Sequence, residues 1–118
     1  MTRRVLALDL KDDPLAIETY CAYHGEVWPE VTESLRTVGI ERMEIYQLGR
    51  RLVMIVETRD GVDLCSAFAA HRVSSPRVAE WERLMQLLQE PLADAAEGEW
   101  WAVMKPVFRL EEKPTPVE

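Results

Sequence analysis

Three segments with the side-chain alternation of β-strands constrain the fold of this chain most strongly. In residues 4–10, leucines occupy every second position, so one face of the segment is fully apolar. Strand patterns return at residues 41–48 and 51–57, where a Gly-Arg pair between them predicts an antiparallel hairpin. A last strand is expected within residues 101–110, although Pro106 favours an edge or a bulge there.

Prolines mark the starts of the predicted helices that lie between these strands. Pro14 and Pro29 each suit the first turn of a helix, and Gly25 separates the two. A short helix is expected over residues 62–70, and another begins near Pro76. The order β, α (broken), β, β, α, β predicts an α+β fold, a ferredoxin-like sandwich with helices on one face of the sheet.

Such a sheet leaves its second face bare, and the commonest cover for a bare sheet is a second copy of the chain. The sequence therefore predicts a homodimer in which the sandwich forms a dimeric α+β barrel. With 118 residues the chain is expected to hold one domain, residues 1–110, followed by a flexible tail at residues 111–118 that has little apolar content.

Composition argues against several classes of partner. The 14 basic and 21 acidic residues give a net charge of −7, which disfavours nucleic acid because phosphate binding needs a basic face. No apolar run approaches the roughly 20 residues that span a bilayer, and the N-terminus lacks the apolar core of a signal peptide. The expected location is the cytoplasm, with no membrane partner.

The segment around the helix break concentrates side chains that suit a small polar ligand. Tyr20 and His24 are four residues apart and therefore lie on one helix face, and Trp28 follows after the break. An indole or phenol ring can stack on the C–H face of a sugar, and an imidazole can exchange a proton near neutral pH. The same three side chains could instead seal the core at a helix end.

Other candidate residues carry weaker signals. His71 has no partner at metal-ligand spacing, so a surface or helix-end position is expected, and Trp81 at helical spacing suits a core. No glycine-rich phosphate loop and no nucleophile with an evident base are present. Any chemistry at this site would thus require only proton transfer, and neither a cofactor nor a metal is expected.

The chain resembles the L-rhamnose mutarotase family, small sugar mutarotases of the dimeric α+β barrel type. The resemblance covers roughly residues 4–110, and the order Tyr-x-x-x-His-x-x-x-Trp-Pro-Glu is its most specific part. In sequence order, the landmarks that carry it are Tyr20, His24, Trp28, Pro29, Glu30, Gly39, Ile45, Tyr46, Val56, Glu57, Trp81, Met85, Val107 and Phe108.

The resemblance implies interconversion of the α and β anomers of a 6-deoxy-L-hexopyranose, L-rhamnose or L-fucose, without cofactor or metal. His24 matches the proton donor of the family. The expected substrate-binding residues are Tyr20, Trp28, Met43, Tyr46 and Trp81. Met43 replaces a tyrosine of the family and Glu82 replaces the second of two adjacent tryptophans, which leaves the choice of sugar open.

The implied mechanism is acid–base opening and closing of the sugar ring, with His24 serving one of two proton transfers. The second group is left open among Tyr20, Tyr46, a carboxylate and a water molecule. A different function remains an alternative, because the same fold hosts ligand-binding proteins and small cofactor-free monooxygenases.

Overall fold

The computed structural model describes residues 1–110, so the tail expected at residues 111–118 lies outside the described residues. In chain order, the elements are β1 (Thr2–Leu10), α1 (Pro14–Gly25), α2 (Pro29–Thr37), β2 (Ile40–Leu48), β3 (Arg51–Thr58), α3 (Leu64–Arg72), α4 (Pro76–Leu88), β4 (Gln89–Glu90) and β5 (Ala102–Val103). Each predicted helix is present, within two residues of its expected start.

The sheet is antiparallel, with strand order β2-β3-β1-β4, and β5 also pairs with β1. The β2–β3 hairpin turns at Gly49, whose positive φ of 59° suits the tight connection. Along the outer side of β1, β4 pairs with Asp9 and Leu10, and β5 pairs with Leu6 and Ala7. This arrangement confirms the predicted ferredoxin-like α+β fold.

One face of the sheet carries the core. Leu6, Leu8 and Leu10 of β1 are buried, and so are the facing side chains of β3, among them Leu52 and Val56. The side chains in between point to the opposite sheet face, which no helix contacts in the described part of the chain. The alternation along β1 and β3 thus places every helix on the same side.

The end of the sheet differs from the sequence-based expectation. The last strand is only Ala102–Val103, and a short strand that was not expected, Gln89–Glu90, lies beside it on β1. Pro106 has no N–H to donate, so it cannot continue the ladder. Val107 and Phe108, which the longer strand would have contained, are 93% and 80% exposed.

Side-chain caps fix where the helices begin. The Asp13 carboxylate accepts a hydrogen bond from the Leu15 N–H at 3.0 Å, and Ser75 Oγ accepts one from the Val78 N–H at 3.2 Å. The break between α1 and α2 leaves His24 near the end of the first helix. Within residues 1–110, no helix is both long and apolar enough to cross a bilayer.

Candidate active site

A cavity of about 1000 Å³ lies between the helices and the core face of the sheet. This volume is within the range of pockets that hold small molecules. Four of the six predicted site residues line it, namely Tyr20, His24, Met43 and Trp81. Trp28 and Tyr46 lie elsewhere. The structure therefore brings together the catalytic candidate and most of the expected sugar contacts.

The last turns of α1 orient the imidazole of His24. His24 and Tyr20 stack with ring centroids 4.2 Å apart, and His24 Nδ1 lies 2.9 Å from the backbone carbonyl oxygen of Tyr20. A carbonyl oxygen only accepts hydrogen bonds, so Nδ1 must carry the proton. In the neutral ring, Nε2 therefore keeps its lone pair and can act as a base.

Burial sets the charge states of both side chains. It lowers the pKa of His24 below 6.5, although the hydrogen bond to the Tyr20 carbonyl opposes this shift. Burial also raises the pKa of Tyr20, with a hydrogen bond from Gln89 acting against it and the nearby Glu82 charge adding to it. At neutral pH the site thus holds a neutral imidazole beside an un-ionised phenol.

Trp81 forms an aromatic wall next to His24. Its side chain is almost fully buried, and its ring centroid lies 5.4 Å from that of His24 in an edge-on arrangement. Tyr23 and Trp28 pack on Trp81 at 5.8 Å and 5.1 Å, also edge-on. Such contacts between rings hold the indole in a fixed orientation. A sugar in the cavity would therefore meet a rigid apolar surface.

Trp28 supports this wall and does not line the cavity, so its predicted contact with the sugar stays a prediction. It precedes Pro29 at the start of α2, and its ring packs edge-on against that of Trp81. The Arg77 guanidinium lies 3.6 Å from the centre of its ring, a cation–π contact. The helix break turns Trp28 away from the His24 face.

Tyr46 also lies away from the cavity, and its predicted role as a sugar contact stays a prediction. Side chains alternate along β2, and Met43, Ile45 and Gln47 line the cavity. Tyr46 therefore points to the opposite sheet face, where it is 57% exposed and donates a hydrogen bond to Glu44 at 2.6 Å. Because Met43 and Tyr46 are an odd number of residues apart, one strand could not aim both at the same site.

The structure also places Glu82 and His71 at the cavity. Glu82 stands where the family resemblance has a tryptophan of the sugar pocket, whereas His71 was not expected there. His71 was expected at the surface or a helix end. It does lie at the end of α3, but it is 3% exposed, which corrects the surface part of that prediction. Its Nε2 is 3.3 Å from Glu82 Oε1, and its Nδ1 is 2.8 Å from Ser34 Oγ. The helical spacing from the buried Ala67 was the signal for this burial.

The segment before β5 closes another side of the cavity. Trp100 and Trp101 both line it, because the strand begins only at Ala102 and its alternation does not extend to them. Trp100 Nε1 donates a hydrogen bond to Gln89 Oε1 at 2.8 Å. Among the described residues, no group of three or more His, Cys, Asp or Glu is placed to hold a metal ion.

The cavity combines the imidazole of His24 in one tautomer, the un-ionised phenol of Tyr20 and the aromatic wall of Trp81. Together with the fold, this combination indicates the class of protein. It is a small ferredoxin-like α+β protein with a site suited to proton transfer on a bound small molecule. Residues 3–110 match the family described as L-rhamnose mutarotase. The chain belongs to this family, whose members are isomerases that interconvert the anomers of carbohydrates.

Relatives support the same assignment. The chain is 40% identical over 114 residues to an L-fucose mutarotase of Xanthomonas campestris, covering 95% of this chain and 90% of that protein. The crystal structure of an L-rhamnose mutarotase from Formosa agariphila is similar with a TM-score of 0.66 and 16% identity, covering 94% of this chain and all of that one.

The fold is shared with proteins of other activities. Tetracenomycin F2 cyclase from Streptomyces glaucescens, a type-II polyketide cyclase, is similar with a TM-score of 0.64 and 16% identity, covering 96% of this chain and 100% of that one. At such identity a structural likeness reports the fold alone. The family assignment therefore depends on the sequence matches, and the chemistry on the site.

Proposed function

We propose that this protein interconverts the α and β anomers of a 6-deoxy-L-hexopyranose by opening and closing the sugar ring. The observation that carries the proposal is the orientation of His24. Its Nδ1–H is committed to the Tyr20 carbonyl at 2.9 Å, which leaves Nε2 as a free base in a cavity walled by Trp81. Membership of the mutarotase family supplies the substrate class.

The chemistry needs one group to take a proton and another to give one. His24 Nε2 accepts the proton of the anomeric hydroxyl, and a proton is delivered to the ring oxygen as the bond from that oxygen to C1 breaks. Rotation about C1–C2 exposes the other face of the aldehyde, and the reverse transfers close the ring. Because its pKa is lowered, His24 is unprotonated and ready as a base at neutral pH.

L-fucose and L-rhamnose are the candidate substrates, and L-fucose is the one to test first. The relative named an L-fucose mutarotase is 40% identical to this chain. The cavity wall is mixed, with the apolar Met43 and Trp81 beside the polar Tyr20, Gln47 and Glu82. An apolar patch beside polar groups suits a hexose that has one methyl group and several hydroxyls.

Saturation-transfer NMR tests this proposal directly. The wild-type protein is expected to accelerate exchange between the anomers of L-fucose or L-rhamnose, and to leave a control hexose such as D-mannose near its spontaneous rate. His24→Gln should lower the acceleration by about 10²- to 10⁴-fold. Glu18→Gln, an exposed change on the same helix outside the cavity, is the matched control and should exchange like the wild type.

The outcomes of this experiment separate the proposal from its alternatives. Sugar binding without accelerated exchange would indicate a ligand-binding protein. Normal exchange in His24→Gln would remove His24 from the mechanism. No effect on any of the sugars, together with oxygen uptake in the presence of an aromatic substrate, would favour a monooxygenase.

We propose also that the protein acts as a homodimer through its uncovered sheet face. Val53 and Ile55 on that face are only partly buried, and Tyr46 is 57% exposed. On the same face, Glu57 Oε2 is buried without a hydrogen-bond partner in residues 1–110. A second sheet packed there would cover the apolar side chains and could supply the missing donor.

A further inference from the structure

A contact between His71 and Glu82 lies at the cavity, outside the set of residues used so far in the proposed reaction. Both residues line the cavity; His71 is buried, and the Glu82 side chain is 30% exposed. Their nearest atoms, His71 Nε2 and Glu82 Oε1, are 3.3 Å apart. Nε2 of a neutral imidazole carries either a proton or a lone pair, so the other ring nitrogen decides which.

Hydrogen bonds through two serine hydroxyls determine whether His71 Nδ1 carries a proton. Ser74 Oγ donates its one proton to the His71 carbonyl at 2.8 Å. Ser34 Oγ, 2.8 Å from Ser74 Oγ, must then be the donor in that contact. Having given its own proton away, Ser34 Oγ accepts from His71 Nδ1 at 2.8 Å. His71 therefore holds a proton on Nδ1, as His24 does.

The contact with Glu82 therefore depends on whether the pair takes up a further proton. A neutral His71 would face Glu82 with a lone pair, and a lone pair does not attract a carboxylate. The two side chains bind each other when a single proton lies between them, either as imidazolium with carboxylate or as imidazole with carboxylic acid. In both forms the pair carries a proton that it can release toward the cavity.

The cavity is thus lined by two groups that can exchange protons, on different helices. His24, on α1, offers a free Nε2, while the His71–Glu82 pair bridges α3 and α4 and can take up a proton. Trp81 is close to both, since it is the chain neighbour of Glu82 and its ring lies 5.4 Å from the ring of His24. Ring opening needs one acceptor and one donor, and the pair can serve as the donor when it holds that proton.

We infer that Glu82 is the second proton-transfer group of the ring-opening reaction, and that His71 positions Glu82 and returns a proton to it. This inference depends on the proposed mutarotase function. As His24 Nε2 takes the proton from the C1 hydroxyl, the pair gives its proton to the ring oxygen, the C1–O5 bond breaks and the C1 carbonyl forms. On closure, O5 attacks C1 from the other face, the O5 proton returns to the pair, and His24 returns its proton to O1.

Glu82→Gln tests the inference, because it keeps the shape of the side chain and removes its capacity to transfer a proton. With L-fucose and L-rhamnose as probes, the exchange rate at saturating sugar should fall about 10²-fold or more, with the sugar concentration at half-saturation changed less than about threefold. The matched control is Glu80→Gln, an exposed position on the same helix outside the cavity. This control should behave like the wild type.

Chemical rescue keeps the inference testable if Glu82→Gln folds poorly. In Glu82→Ala, added formate should restore part of the lost rate, beyond the exchange that formate causes in free solution. Replacing His71 by Asn keeps a donor toward Ser34 but removes the partner of Glu82. In the His71→Asn, Glu82→Ala double variant, formate should rescue less, which a purely structural role of His71 would not produce.

The results also distinguish this inference from the function on which it depends. Wild-type exchange rates in Glu82→Gln, with His24→Gln inactive, would overturn the role of Glu82 and leave the mutarotase assignment intact. Absence of exchange in the wild-type protein with either sugar would overturn the proposed function itself. If Glu82→Gln raised only the sugar concentration at half-saturation and left the rate at saturating sugar unchanged, Glu82 would be reassigned to sugar binding. That result would also overturn the inference.

Discussion

His24 is a residue whose two ring nitrogens meet different surroundings. Nδ1 is tied to the carbonyl one helical turn earlier, and Nε2 is left to the cavity. Because burial lowers its pKa below 6.5, the native protein holds a neutral imidazole under conditions in which an exposed histidine would be partly charged. Only the neutral form can begin the reaction as a base.

We therefore expect anomer exchange to persist through pH 6.5 and to decline only at lower pH, as His24 takes up a proton. Proton NMR titration should show one imidazole with a midpoint below 6.5, and this resonance should disappear in His24→Gln. If the exchange rate already fell at or above pH 6.5 on acidification, the assignment of His24 as a buried, neutral base would be contradicted.

The same shift makes stability depend on pH. As pH falls below 6.5, the unfolded chain protonates His24 before the native protein does, so the native state loses stability progressively until its own lowered pKa is passed. Urea midpoints at pH 7.5 and pH 5 should therefore differ more for the wild type than for His24→Gln. If the urea midpoint changed equally between the two pH values in both proteins, burial of the His24 imidazole would not contribute to the pH dependence of stability.

At the scale of elements, the turn between α2 and β2 depends on Gly39. Its φ is +106°, and a Cβ at this position would lie 2.7 Å from Val62 Cγ2. Gly39→Ala should lower the free energy of unfolding by about 1–3 kcal/mol, measured by urea denaturation. Gly25→Ala is the control, since it has ordinary φ and nothing within 4 Å of the added carbon, and should change stability little.

A second substitution separates the two causes of that loss. Val62→Ala removes both methyl groups that a Cβ on Gly39 would approach. In this background Gly39→Ala should cost less, with the remainder due to the backbone conformation. An unchanged cost would assign the whole effect to φ.

Elements were easier to predict from sequence than the directions of individual side chains. Proline and capping residues such as Asp13 and Ser75 act locally, so they located the helix starts. Side-chain direction depends on strand parity and on the turn after a helix break, and this is why Tyr46 and Trp28 do not line the cavity. His71 and Glu82 lie on successive helices and meet only because α3 and α4 pack together, which no local pattern reveals.

For the whole molecule, the uncovered sheet face is the feature on which the proposed dimer depends. Ile55, opposite Val5 and Glu44 in the sheet, lies on that face. We expect the wild type to be a dimer by light scattering and Ile55→Glu to be a monomer with an unchanged circular dichroism spectrum. Buried charge at a sheet interface is costly because no partner is there to compensate it.

The control for this experiment lies on the helical side. Leu87 on α4 is 62% exposed, so Leu87→Glu should leave the dimer intact. A wild-type protein that stays monomeric at high micromolar concentration would contradict the proposed dimer. Dissociation by Leu87→Glu, and not by Ile55→Glu, would move the interface to the helices.

The edge-on contact between His24 and Trp81, at 5.4 Å, also gives the protein an optical signal of its own. A protonated imidazole quenches indole emission more strongly than a neutral one does. Acidification should therefore dim the intrinsic fluorescence along the titration curve of His24, and His24→Gln should abolish that dependence. Since Trp81, Trp100 and Trp101 all border the cavity, a bound sugar would alter the same emission, and occupancy could be followed without a label.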